Sequence, residues 1–381
     1  MFGGSGPINW DIARQVSISI ASGGAVEPNV DPLERIKLEE LARVAELHVG
    51  EATGLTTDVN GRAVAVRAVS RAEWAHATLD AYRPLLERLA ETVGAAGGAA
   101  GADGEPLGVD LDELGDDHPE LSDQLLGNLS QVLGPVMMGL TAGSMIGHLA
   151  QRAFGQYDLP IPRPPSHELL LVPSTIVAFA DDWSQPTEDV RLWVCISEVA
   201  HHAVLSIPHV RERLDQLLND YVGSFQPDPS ALGARLEGLD PTDPSSFQTA
   251  LGDPEVLLGA MKTPAQDQLL RQLEALTAAI EGHVDHVCDE VGRKLISSYS
   301  SLTEALRRRR VEQGEGDRFV ERLFGLELGQ AQYDRGDRFI SGIVERVGED
   351  GLRRLWSSAD VLPTPAEIDA PGLWLARIDL G

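Results

Sequence analysis

Seven apolar side chains, Leu269, Leu273, Leu276, Ile280, Val284, Val287 and Val291, recur at spacings of three and four residues. Only an α-helix brings such positions to one side, so the stretch predicts a long helix lying across a core. Thr263-Pro264-Ala265-Gln266 opens it with an N-cap, a proline at the first helical position and the glutamine of a capping box. A stripe this long needs partners along its whole length, which makes a mainly α-helical fold the expectation. At about 100° per residue, Glu281, Asp285 and Cys288 cluster beside the stripe, whereas His283 and His286 point well away from it.

The rest of the chain reads in the same way. Helices are expected at about 9–20, from Asp31-Pro32 to about Val49, and from the Ser70/Glu73 capping box to near Gly94. Further helices are expected at 188–205, 210–222, 301–313, 316–326 and 330–347. Short strands are expected at 63–69, 169–172 and 176–180, before the helix at 188–205. Residues 94–120 are Gly, Ala and Asp without apolar periodicity, and residues 226–262 are rich in Pro, Asp and Gly. The chain therefore divides into an N-terminal helical region (1–94), an acidic linker (95–120) and a main domain (121–381). Residues 124–151 lack Asp, Glu, Lys and Arg, but their glycines and polar residues point to a buried helix rather than a membrane span.

Composition narrows the function. The 381 residues are 43% hydrophobic and carry a net charge of -28, which repels phosphate backbones and argues against nucleic-acid binding. No secretory signal opens the chain and there are two cysteines, so a cytoplasmic location is expected. No phosphate-binding loop, dinucleotide fingerprint or G-x-S-x-G elbow is present.

The helix at 188–205 carries Ser197-Glu198-Val199-Ala200-His201. In H-E-x-x-H, two His at i and i+4 bind Zn from one helical face and the Glu serves as base. Here Glu198 and His201 are in register, but Ser197 stands at the first ligand position, and a neutral hydroxyl is a poor Zn ligand. Glu281 and Asp285 form an E-x-x-x-D pair on the long helix, with Gly282 allowing close helix approach. In glutamate-type zinc enzymes such a Glu completes the metal site and the Asp orients a ligand His. The alternative is an acidic edge paired with arginine.

The chain resembles the zincin-like metallopeptidase type 2 family. The resemblance runs from Pro7-Ile8-Asn9-Trp10-Asp11 through Gly155-Gln156-Tyr157-Asp158, Leu192-Trp193-Val194, Glu281-Gly282-His283 and Gln332-Tyr333 to Trp374-Leu375-Ala376-Arg377. It implies a zincin-related helical fold with a short strand element before the motif helix. It implies metal ligation by His201 and Glu281, with Glu198 as the base, Asp285 behind them and Ser197 at the lost ligand position. Two protein ligands seldom hold Zn tightly, so weak or absent Zn binding is expected. Two readings follow: a metallopeptidase-like hydrolase with a peptide or protein substrate, or a non-catalytic pseudoenzyme that binds a protein partner. A shifted Cys195/His202/Cys288 metal site, or a disulfide, is a further alternative. The run Arg307-Arg308-Arg309-Arg310 is expected to pair with carboxylates.

Overall fold

Local capping signals set where the helices begin. Asn9 accepts from the Ile12 N–H at 3.1 Å to start α1 (Trp10–Ala21), and Asp31 accepts from the Leu33 N–H to start α2 (Pro32–Thr53). β1 (Ala65–Ala68) precedes the Ser70/Glu73 capping box, which opens α3 (Arg71–Asp103). Then come α4 (Pro119–Arg152), β2 (Glu168–Leu171), α5 (Pro173–Asp182), α6 (Thr187–Leu205) and α7 (Pro208–Gly223). Thr263 and Gln266 form the reciprocal box that begins α8 (Pro264–Leu295). α9 (Tyr299–Val311), α10 (Gln330–Arg353), α11 (Pro365–Ile368) and α12 (Pro371–Leu380) complete the described chain. This computed structural model describes residues 6–57, 62–103, 119–225, 263–312, 320, 323–326 and 329–380.

The fold is mainly α, with β1 and β2 forming a two-stranded parallel sheet in which Ala65 pairs with Glu168 and Ala68 with Leu171. The expected strand at 176–180 is instead part of α5. Its apolar run is too short for periodicity to separate strand from helix, and Pro173 at the first helical position decides the matter. α3 continues past Gly94 to Asp103, as its alanines favour. The remainder of the expected linker (104–118), residues 226–262 and most of 316–326 lie outside the described residues.

α6 and α8 cross in the middle of the protein, with α2 and α5 also against α6 and α7 and α10 also against α8. The α8 stripe is buried from Leu273 to Val291. Two close approaches depend on glycine. A Cβ on Gly282 would lie 2.3 Å from the Gly336 carbonyl carbon, so α8 and α10 meet there backbone to backbone. Along α4, Gly139, Gly143 and Gly147 form a four-residue repeat against α1, where a Cβ on Gly143 would sit 2.5 Å from the Ala13 carbonyl oxygen. The uncharged segment is thus a helix whose small-residue face packs on α1, with Met145, Ile146 and Leu149 in the core. Among the described residues, no single helix is long and apolar enough to cross a membrane.

Candidate active site

α6 buries nearly every residue from Val190 to Leu205, so its polar positions must find partners inside the protein. His201 does so twice. Its Nδ1 donates to the Ser197 carbonyl one turn back at 2.8 Å, and its Nε2 faces Glu281 Oε1 on α8 at 3.3 Å. Both side chains are nearly fully buried, at 7% and 5% exposure. Burial disfavours the charged ring, but the Glu281 carboxylate outweighs it and holds the imidazole above its ordinary range.

Glu198 lies in the same pocket. One carboxylate oxygen accepts the Tyr157 backbone N–H at 2.9 Å, and the group lies so close to Gly155 that a Cβ there would come within 2.5 Å of its carboxyl carbon. Burial raises the Glu198 pKa to about 7 against the opposing pull of His201 and the Tyr157 N–H. The loop at Gly155–Tyr157 is therefore the wall that seats Glu198, and Tyr157 stacks on His201 with ring centroids 6.0 Å apart. Its hydroxyl also bonds His202 Nδ1 at 2.9 Å, and burial pushes the His202 pKa down to about 4.

Ser197, Glu198, His201, Glu281 and Asp285 all line one cavity of about 130 Å³. The structure thus places the five residues singled out by helical spacing around one space. Spacing did not reveal the opposite wall, where Arg152, Arg309, Arg310 and Tyr333 also line the cavity. Asp285 does not turn toward His201. It accepts both arms of Arg310 at 2.7 and 2.8 Å, the arginine-paired alternative. Arg309 lies over the Phe154 ring at 3.6 Å, and burial lowers its pKa to about 10. Arg307 and Arg308 pair with Glu304, so the basic run is absorbed by local carboxylates.

The shifted cysteine site does not form. Both cysteines are free and buried; the Cys195 thiol faces the Leu38 carbonyl, and His202 is taken by Tyr157. Zinc at the motif is poorly matched by the residues present. His201 and Glu281 supply two donors on opposite sides of one short contact, and Ser197 supplies a hydroxyl where a third ligand is needed. Three arginines in the cavity wall, Arg152, Arg309 and Arg310, further disfavour a dication. Among the described residues, no trio of metal-type side chains converges there.

Gly282 was legible as a point of close helix approach, whereas the Gly155–Tyr157 loop was legible only as a stretch shared with a family, because its role depends on contacts far apart in sequence. A solved structure from Chloroflexus aurantiacus, described as a candidate hydrolase with a novel fold, superposes with a TM-score of 0.65. It is 22% identical and the alignment covers 98% of this chain and 99% of that one, so the likeness is one of fold. No curated protein matches the chain. The sequence profile of the zincin-like metallopeptidases matches residues 8–375, which spans both motif helices and the C-terminal Trp374, and the chain belongs to that family.

Proposed function

We propose that this chain is a zincin-like protein with a degenerate zinc motif, whose cleft binds a peptide or protein segment without zinc-dependent hydrolysis. The observation that carries this reading is the buried contact between His201 and Glu281, in which the two surviving ligand positions neutralise each other. With Ser197 in the third position, the pair has no need of an ion to satisfy it. The cleft around it is kept: a cavity of about 130 Å³ with polar groups on both walls.

A hydrolase reading retains one specific support, since Glu198 stands at the base position with its pKa raised to about 7, suited to proton transfer near neutral pH. One experiment separates the two. The native chain, stripped of metal and then supplied with Zn²⁺, is incubated with an unbiased peptide mixture, alongside Glu198→Gln and Ser197→His. The binding reading expects no cleavage by the native chain. It also expects a clear gain in Zn²⁺ affinity from Ser197→His, because that change restores imidazoles at i and i+4 beside Glu281. Zn²⁺-dependent cleavage by the native chain that Glu198→Gln removes would overturn it.

A further inference from the structure

The face of α8 turned away from the cleft carries a second group of ligand-type side chains. Positions 283, 286 and 290 lie about 140–200° around the helix from Glu281. His286 and Glu290 share a face one turn apart. The third member comes from α10, which breaks at Gly348, where φ is 73° and ψ is -175°. That left-handed break returns the chain so that Glu349 places its carboxylate oxygens 3.1 and 3.3 Å from His286 Nε2. One ligand atom each from His286, Glu290 and Glu349 lies within 4.8 Å of the other two. Ligands bound to one tetrahedral ion at about 2.0–2.2 Å stand roughly 3.5 Å apart, so small side-chain rotations close the set.

An acidic cluster with one histidine is ordinary on a protein surface, and Glu290 already pairs with Lys294 at 2.9 Å. Two further groups set this cluster apart. His283 is 3% exposed, and neither of its ring nitrogens has a hydrogen-bond partner. The indole N–H of Trp356, which meets the His283 ring edge to face at 5.5 Å, is likewise buried and unpartnered. Both line the same small cavity as His286, Glu290 and Glu349, a space of about 10 Å³. That is about the room one water or one ion takes. Buried imidazole and indole nitrogens left without partners are unusual in a folded core, and here both residues line the cavity that the carboxylates also line.

We propose that His286, Glu290 and Glu349 bind a divalent cation of the zinc type, with His283 beside them as an additional nitrogen donor. The mixture of imidazole and carboxylate favours Zn²⁺, Co²⁺ or Ni²⁺ over Mg²⁺ and Ca²⁺, which prefer oxygen alone. Binding frees Lys294, whose side chain is 65% exposed and loses little by returning to water. The site ties the C-terminal third of α8 to the segment after the α10 break, so its role is to staple two elements. It lies outside the cleft and does not depend on how the cleft functions.

The test uses the full chain titrated with Zn²⁺ by calorimetry and with Co²⁺ by visible absorption, together with melting curves with and without metal. One ion per chain and a metal-dependent rise in Tm are expected in the native protein and in His201→Gln. His286→Gln and Glu349→Gln should each weaken binding by at least the roughly 10- to 100-fold that even the loss of a ligand's supporting partner costs. These side chains are partly exposed, so metal-free melting curves matching the native one would show that both variants fold. The proposal is overturned if the native chain shows no saturable binding. It is also overturned if binding survives both substitutions and is lost in His201→Gln, which would place the ion in the cleft.

Discussion

A buried imidazolium is stable only while its counter-charge stays in place, and His201 has one such partner within hydrogen-bond reach. Glu281→Gln keeps the shape of the side chain but removes the charge. His201 can then shed its proton, which limits the damage. The expected loss is about 1–3 kcal/mol in urea unfolding at neutral pH, the range for a buried polar group left poorly satisfied. An unchanged midpoint would mean that the pair is not what holds these helices in register. Ser197, Glu198, His201 and Glu281 were legible in the sequence because i, i+4 spacing fixes a helical face whatever the rest of the fold does. Asp285 was legible as a position but not as a partner, since its choice between His201 and Arg310 depends on where α9 lands. His283 shows the same limit. Helical geometry turns it from the apolar stripe, yet the turn at Arg354–Trp356 covers it, and no local signal foretells that cover.

At the scale of elements, α8 and α10 cross backbone to backbone where Gly282 and Gly336 face each other. Gly282→Ala adds a carbon 2.3 Å from the Gly336 backbone, so the helices must part. Although alanine favours helix, overpacking against backbone should dominate, with a loss of about 1–3 kcal/mol in thermal or urea unfolding. A neutral or stabilising result would show that the crossing is looser than these distances imply. The C-terminal α11 and α12 are joined differently, by Glu367, which accepts from Arg377 at 2.6 and 3.0 Å and from the Thr364 N–H. Burial alone would raise the Glu367 carboxyl, but the hydrogen bonds from Arg377 and Thr364 hold it below its ordinary range. Its contribution is therefore complete above the unfolded carboxyl pKa of about 4.3 and fades as pH falls through the folded value. Glu367→Gln should cost about 1 kcal/mol at pH 7, a modest figure because Arg377 is 37% exposed. Its unfolding curve should converge on that of the native chain as pH falls below that lowered folded value, and a gap that stays constant into acid would count against this linkage. Element positions were legible wherever a cap opened an apolar stripe, as at Asp31, Ser70 and Thr263. The stretch 176–180 was not, because five apolar residues fit strand and helix equally well.

Across the whole molecule, 59 acidic residues against 31 basic ones leave a charge of -28 to be held in one folded body. Surface ion pairs such as Arg35–Glu39 and Arg308–Glu304 offset part of the repulsion, but each exposed pair is worth only about 0.2–1 kcal/mol. Both effects weaken with salt, so the sign of the salt response tells which is larger. With nearly two acids for every base, nearly half of the carboxylates lack a cation even if every base is paired, and repulsion should win. The Debye length falls from about 30 Å at 10 mM salt to about 8 Å at 150 mM, which screens carboxylates on opposite faces far more than contacts at hydrogen-bond distance. The His201–Glu281 contact is buried and should be almost indifferent to this change. Tm is therefore expected to rise by several degrees between about 10 and 150 mM NaCl. The Glu281→Gln variant should rise in parallel, keeping the same offset throughout. A native Tm that falls with salt would show that the paired charges on the surface outweigh the repulsion, and an offset that closes would show that the cleft pair is open to solvent.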